Sequence, residues 1–413
     1  MILEMKSDLN TISHETEKAQ NLEISKSIDN IYEITKKLAF PRLVGSDGEI
    51  KAREIVIDEF KKAGYDKVEQ DPFITSFHIW TLTRYIFLVM GAGLILLALS
   101  LYINPYLTFI LLILELYFSF KALKIAGSSK VSKNSRFVYQ TENIFTSTNN
   151  QNPKAKIIFM AHYDSKSQSF SPSTRILIFT FSIFGSLILY LIYLILSLLR
   201  IIINFNIPIL NNILLDACLV IAIVGALNYF NKTGNKSSGA FDNAAAVGTI
   251  MELARFYKSH PNKNVDILFL CTSAEELNLG GATDFIHRYK DDFNKETTFF
   301  INLDLVGGSD LIRLISSYGI PRKISSEKLN NLCLQNAKEN NIKIKDVYSP
   351  TGVWSDYMPI VQEGFEACWL GSEPGLKYVH TIKDDMNLVS KEGIKNILLL
   401  CMDVVRKLDN NFN

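Results

Sequence analysis

Lys154–Ser165 reads KAKIIFMAHYDS. Its centre is a short apolar run rich in Ile and Phe, without the polar alternation of a half-exposed strand, which is the pattern of a strand covered on both faces. The run ends abruptly in His162, Tyr163 and Asp164. Two later stretches repeat the pattern, Val265–Cys271 (VDILFLC) and Thr297–Leu305 (TTFFINLDL). Around them, apolar residues recur every three or four positions in Glu49–Ala63, Asn243–Tyr257, Ser326–Glu339 and Lys391–Leu408, which predicts amphipathic helices. Buried strands alternating with such helices predict an α/β fold, a three-layer sandwich with a mixed, mainly parallel central sheet.

Two regions interrupt this alternation. No charged residue stands between Arg84 and Glu115, and the stretch divides at Asn104-Pro105 into Tyr85–Ile103 and Tyr106–Phe120. A second pair, Ile176–Leu199 and Ile213–Phe230, flanks a loop holding Arg200, Asn204, Asn206, Pro208, Asn211 and Asn212. Apolar runs of this length suit a hydrocarbon core of roughly 30 Å. We read two inserted transmembrane helical hairpins, residues 85–120 and 176–230, within an α/β domain formed by 35–80 and 135–413, after a polar N-terminal tail over 1–34. Because each hairpin returns the chain to the side it left, all polar segments are expected on one face of a membrane. The alternative is a set of buried helices in a large soluble core.

The 413 residues carry 43 basic and 42 acidic side chains, a formal net charge of +1, which gives no basis for a nucleic-acid partner. Mean hydropathy is +0.13, high for a soluble enzyme, and the apolar runs account for it. The five cysteines are scattered without a Cys-x-x-Cys pair, so neither a disulfide scaffold nor a thiolate zinc site is expected. The N-terminal stretch lacks the pattern of a cleavable secretory signal.

The chemistry gathers at strand ends. His162 and Asp164 close the first strand, where open α/β sheets build their sites; an imidazole there can bind a metal while the Asp orients it. A turn or surface pair is the plainer reading of an isolated His-x-Asp. Asp242-Asn243 leads into a helix, where Asp242 suits either an N-cap or a carboxylate bridging two ions. Glu275-Glu276 follows the next strand. Such a pair is costly to bury unless a cation neutralises it, whereas a metal lets one Glu act as ligand and the other as proton acceptor for water; a solvated helix start is the alternative. Asp304 and His380 add one more carboxylate and one more imidazole. His14, His78, His260 and His287 lack such company and read as ordinary polar residues.

The order His162-x-Asp164, Asp242-Asn243, Glu275-Glu276, Asp304, His380 resembles the zinc aminopeptidase family that includes bacterial leucyl aminopeptidases, glutamate carboxypeptidases and glutaminyl cyclases. Arg42-Leu43-Val44-Gly45-Ser46, Ser355-Asp356 with Gly364 and Ala367, and Thr381 with Asp384 extend the likeness, which covers about residues 35–80 and 135–410. The resemblance implies two zinc ions bridged by Asp242, with Glu276 and His380 completing one site and His162 and Asp304 the other. It further implies Glu275 as general base and Asp164 as the group holding His162 or the bridge. Ligand type alone also admits cobalt or manganese. The chain departs from the pattern at Tyr357, where many relatives have His, and Tyr348 is only a candidate for the oxyanion-stabilising Tyr.

The expected activity is that of a membrane-bound metallo-aminopeptidase, an exopeptidase acting on a peptide or aminoacyl substrate through metal-activated water. The alternatives are a glutaminyl-peptide cyclotransferase, because His162-Tyr163-Asp164-Ser165-Lys166 resembles the cyclase form of the motif, and a catalytically silent membrane scaffold. Two features favour hydrolysis: a short helix expected over Leu277–Tyr289 directly after Glu275-Glu276, and the Asp242-Asn243 pair. Membrane lipid is the other expected partner. Flanking the hairpins on the domain side are Arg84, Lys121, Lys124, Lys130, Lys133, Arg136, Lys166, Arg175, Lys232 and Lys236, against Arg200 alone at the tips. That bias predicts a multi-pass protein with four transmembrane helices and its catalytic domain on the cytoplasmic face.

Overall fold

The computed structural model describes residues 21–126, 138–350, 355–373 and 377–412. His14, Lys130, Lys133 and Arg136 lie outside them. Two compact units emerge: one comprises Met1–Phe73, Gln140–Lys166 and Asn235–Asn413, the other Ile74–Tyr139 and Ser167–Gly234.

In chain order the helices are α1 (residues 21–38), α2 (Asp47–Lys62), α3 (His78–Ile103), α4 (Pro105–Ala126), α5 (Pro172–Ile203), α6 (Pro208–Ala226), α7 (Ala245–Ser259), α8 (Gly280–Tyr289), α9 (Glu327–Glu339), α10 (Tyr357–Gln362) and α11 (Lys391–Asn411). The strands are β1 (Glu69–Ser76), β2 (Val138–Ser147), β3 (Ala155–His162), β4 (Ser167–Gln168), β5 (Thr233–Gly234), β6 (Val265–Thr272), β7 (Thr298–Leu303), β8 (Ile312–Tyr318), β9 (Lys323–Ile324), β10 (Ile344–Ser349) and β11 (Glu366–Ser372).

The first unit is built on a nine-stranded mixed sheet in the order β1-β2-β6-β3-β7-β11-β8-β10, with β9 on β8. Its centre, β6-β3-β7-β11, is parallel throughout, whereas β2 and β8 join antiparallel. Every residue of β6 and β7 is buried, as their uninterrupted apolar sequences require. The register sets Ala161 opposite Cys271, Met160 opposite Asn302, and Leu370 opposite Leu303. The carboxyl ends of four neighbouring strands therefore share one edge. β6 and β7 flank β3 on opposite sides, so the chain reverses direction across the sheet beside β3, the position at which open α/β sheets form a crevice.

Helices α7 and α11 pack on β3 and β6, α9 on β11 and β8, and α10 on β7 and β11. Local signals fix the ends of these helices. Ser46 caps α2 by accepting from the Glu49 N–H, with Asp47 and Glu49 in the first turn and Lys61 and Lys62 in the last, each matching the helix dipole. Ser326 and Ser390 cap α9 and α11 in the same way. One difference from the sequence reading lies in the N-terminal segment. The tail expected over 1–34 is helical from residue 21, and α1 buries Ile28, Ile31, Ile34 and Leu38 in the core of this unit. Ile24, Ile28, Ile31, Ile34 and Leu38 recur every three or four positions, a helical spacing set among the charges of a segment that reads as polar as a whole.

The second unit holds α3, α4, α5 and α6, four helices long and apolar enough to cross a membrane. Prolines at the first turns of α5 and α6 start helices without losing a hydrogen bond. Contacts within the unit use small residues. A Cβ on Gly91 would stand 3.1 Å from the Ala222 side chain, and Gly185 faces Ile221. Several of the unit's polar groups are paired. Tyr190 donates to Glu115 at 3.1 Å, and Arg200 donates to the Leu101 carbonyl and to Asn211 at 2.7 and 2.5 Å. Around this interior the helices present exposed Leu, Ile and Phe, among them Leu96, Ile110, Leu114, Phe184, Leu191 and Ile223.

Candidate metal centre

At the shared strand edge the structure brings the sequence-selected residues of the first unit together. β3 delivers His162 and Asp164, β6 delivers Glu275 and Glu276, β7 delivers Asp304, the turn before α7 delivers Asp242, and the loop after β11 delivers His380. Three of the backbone joints are left-handed in residues other than glycine: Ala274 before Glu275 at φ 58°, Leu305 after Asp304 at 59°, and His380 itself at 61°. Such conformations cost energy and tend to persist where function requires them.

Two clusters result, His162 with Asp242 and Asp304, and Asp242 with Glu276 and His380, so Asp242 is common to both. Its Oδ1 lies 3.2 Å from His162 Nε2 and its Oδ2 lies 3.2 Å from His380 Nε2. His162 Nε2 is also 3.6 Å from Asp304 Oδ1, and His380 Nε2 is 2.9 Å from Glu276 Oε1. The inward atoms His162 Nε2, Asp304 Oδ1 and Glu276 Oε1 are buried without a hydrogen-bond partner. Buried, orphaned acceptors gathered in two adjoining clusters fit cations.

Outer contacts fix each inward group. His162 Nδ1 faces the Asp164 carbonyl at 3.1 Å, and a proton held there leaves the Nε2 lone pair pointing into the cluster. Asp304 Oδ2 accepts from Ser355 Oγ at 2.7 Å and Trp369 Nε1 at 3.1 Å, and Asn302 donates to Ser355 at 2.6 Å. Asp242 does not act as an N-cap. Instead, Asp384 accepts the N–H groups of Phe241 and Asp242 at 2.8 and 3.2 Å, and Asn243 donates to the Leu303 carbonyl. Arg42, fully buried, donates to the carbonyls of Tyr163, Ser238 and Gly239 at 2.8, 2.7 and 3.0 Å, tying the β3 end to the turn that carries Asp242.

The electrostatics follow from this crowding. Burial pushes Asp242 up, but hydrogen bonds from His162 and His380 outweigh it and hold the carboxyl far below its usual range. Glu276 is held at about 2, the pull of burial being overcome by His380 and Lys166. Burial drives Glu275 well up, and Glu276, Asp304 and Asp356 add to it against His162. Burial likewise carries Asp356 to about 7. Burial alone would lower His162, yet Glu275, Asp164, Asp242 and Asp304 raise its proton affinity well above the ordinary value. A field that draws a proton onto an imidazole also draws a divalent ion to the same lone pair.

Several residues at the site carried no assigned role in the sequence reading: Lys166, Arg42, Asp356, Asp384, Ser355 and Trp369. Arg42, Ser355, Asp356 and Asp384 lie in stretches that carry the likeness, but a residue in such a stretch does not announce its partner. Tyr348, the candidate for oxyanion stabilisation, is exposed and donates to the Gly319 carbonyl at 2.8 Å, so its hydroxyl is engaged elsewhere. The helix expected from Leu277 starts instead at Gly280. Glu275–Leu277 form a single 3₁₀ turn, and Asn278 and Leu279 are left-handed before α8 begins. His260 stacks on Phe256 and His287 lies 3.4 Å from Glu363, both away from the cluster.

The chain is similar to known proteins in sequence and in fold. Residues 223–405 match the model of Peptidase family M28. Aminopeptidase YwaD of Bacillus subtilis (strain 168) is 26% identical over 172 residues, a stretch covering 38% of this chain and 35% of that protein, so the chain spans about a third of the length of this relative. Among solved structures, the zinc aminopeptidase BSAP from Bacillus subtilis superposes with a TM-score of 0.51 at 14% identity, covering 92% of this chain and 95% of that one. A glutaminyl cyclase from an Acidobacteriales bacterium superposes with a TM-score of 0.53, also at 14% identity, covering 93% and 95%. These structural likenesses concern the fold.

Proposed function

We propose that the chain is a zinc-dependent exopeptidase, with a zinc aminopeptidase-like catalytic unit, that removes N-terminal residues from a peptide or aminoacyl substrate. The observation that carries the reading is the pair of clusters sharing Asp242, with the buried Glu275 beside them. His162 and Asp304 would hold one zinc ion, Glu276 and His380 another, with Asp242 between the two. Bound there, zinc supplies Lewis acidity, polarising a carbonyl oxygen and acidifying water near neutral pH.

The remaining steps belong to this chain's side chains. Glu275 takes the proton of the attacking water on its carboxylate and returns it to the leaving amine. Its burial suits that exchange, because a glutamate removed from solvent binds a proton more readily than an exposed one. Asp164 keeps the His162 ring oriented through its carbonyl. The walls of β3, β6 and β7 exclude bulk water from the carboxylates and so strengthen each of these interactions.

Glutaminyl cyclisation is the second reading, favoured by Lys166 following His162-Tyr163-Asp164-Ser165. The discriminating experiment measures zinc content of the purified protein alongside turnover of aminoacyl-p-nitroanilides and of glutaminyl peptides. Release of free amino acid with zinc present supports the peptidase. Ring closure of glutaminyl peptides without aminoacyl hydrolysis replaces it with the cyclase, and absence of zinc and of both activities leaves the silent scaffold.

The four apolar helices are proposed to anchor the protein in a membrane as two hairpins, with the catalytic unit on the cytoplasmic face. The support is the excess of Lys and Arg on the domain side of the hairpins.

A further inference from the structure

The two clusters are built alike but pinned differently. In each, a carboxylate turns one oxygen toward a histidine, Asp304 Oδ1 toward His162 and Glu276 Oε1 toward His380. The second oxygen is held from behind. Behind Asp304 the donors are neutral, a Ser355 hydroxyl and the Trp369 indole. Behind Glu276 the donor is the ammonium of Lys166, whose Nζ stands 2.7 Å from Oε2 and 3.3 Å from the Glu276 carbonyl oxygen. The Lys166 side chain is 5% exposed and that of Glu276 is 3% exposed, so solvent does little to screen the pair.

We propose that Lys166 is a positioning residue for the metal centre: it confines Glu276 to a single inward oxygen and withdraws charge from it, so that an ion held by Asp242, Glu276 and His380 is bound less tightly than these ligands would otherwise hold it. The inference rests on the reading of those three residues as ligands. Two effects act in the same direction. With Oε2 engaged at 2.7 Å, Glu276 presents one oxygen where a free carboxylate would present two. A fixed positive charge directly behind a ligand also opposes the approach of a dication. In return, a ligand that donates less charge leaves more of the ion's charge for a substrate carbonyl. The neutral pins behind Asp304 do not impose this penalty.

The test is zinc affinity of the full-length protein in detergent micelles, measured by competition with a chromogenic chelator, with circular dichroism to verify folding. Lys166→Met removes the cation and keeps the length of the stem; it is expected to bind zinc roughly tenfold more tightly in one binding step. Lys166→Arg restores the charge and is expected to return to wild-type affinity. If Lys166→Met does not fold, Lys166→Gln serves as the neutral variant with the same expectation. Unchanged or weaker zinc binding in the folded neutral variant overturns the proposal, since a lysine that merely supports the fold loosens the site when removed. Equal tightening in Lys166→Arg overturns the role of charge. A wild-type protein that binds no zinc overturns the metal-centre reading itself, an outcome distinct from either.

Discussion

The carboxylate of Asp164 accepts the main-chain N–H of Glu275 at 3.2 Å, and its other oxygen accepts that of Glu276 at 3.3 Å. Asp164 therefore does more than orient His162. It holds the turn that aims both the proposed base and a proposed ligand, across the gap between the β3 and β6 ends. Asp164→Ala is expected to lower kcat by about 10- to 100-fold with KM little changed, while most of the zinc is retained. Steady-state kinetics beside metal analysis check this. Wild-type turnover in the variant would remove Asp164 from the machinery.

Glu275 and Glu276 are adjacent, yet the structure gives them different surroundings. Glu276 faces His380 and Lys166, whereas burial and neighbouring carboxylates drive Glu275 toward its protonated form. Glu275→Gln is expected to keep its zinc and lose several orders of magnitude in kcat, because an amide fills the space but cannot accept a proton. Asp242→Ala and His380→Ala are expected to lose zinc and activity together. Retained activity in Glu275→Gln would show that another group moves the proton.

Much of the fold was legible because β3, β6 and β7 are buried on both faces, which forces continuous apolar runs, and because the four long helices carry almost no charge. The strand ends were legible for the same reason: a His or a carboxylate stands out at the edge of an apolar run. What stayed hidden depends on the third dimension. Whether Lys166 meets Glu276, 110 positions away, is decided by the β3–β6 register and by no local pattern. The turn after Glu276 uses left-handed Asn278 and Leu279, and Leu gives no warning of positive φ, so the helix appeared to begin too early. Helix α1 carries Ile28, Ile31, Ile34 and Leu38 at helical spacing, but the charges between them make the segment polar on average, and only its packing reveals the buried face.

The proposed zinc site draws all of its candidate residues from the first unit and, among the described residues, none from Ile74–Tyr139 or Ser167–Gly234. Replacing Tyr85–Phe120 and Ile176–Phe230 with short polar linkers is expected to give a protein that stays in solution without detergent and still binds zinc. Sedimentation after cell lysis and metal analysis of the soluble fraction check this. A folded product without zinc would mean that the apolar helices shape the site.

The last prediction concerns orientation, and it follows from charge. Lys and Arg near membrane segments are retained on the cytoplasmic side, and short loops cross readily when nearly uncharged. Ten basic residues flank the hairpins on the domain side, against Arg200 alone at the tips. That guanidinium donates to the Leu101 carbonyl and to Asn211 within its own unit, so even this one tip charge is held by local hydrogen bonds. Cysteine labelling reads the outcome directly. Asn206 and Lys236 are both exposed, whereas all five native cysteines are buried, so a cysteine placed at either position reports with little background. On intact cells a membrane-impermeant thiol reagent is expected to label Asn206→Cys and to spare Lys236→Cys, which becomes reactive only after lysis. The opposite pattern would place the catalytic unit outside the cytoplasm, and labelling of both on intact cells would exclude a membrane barrier between the two positions.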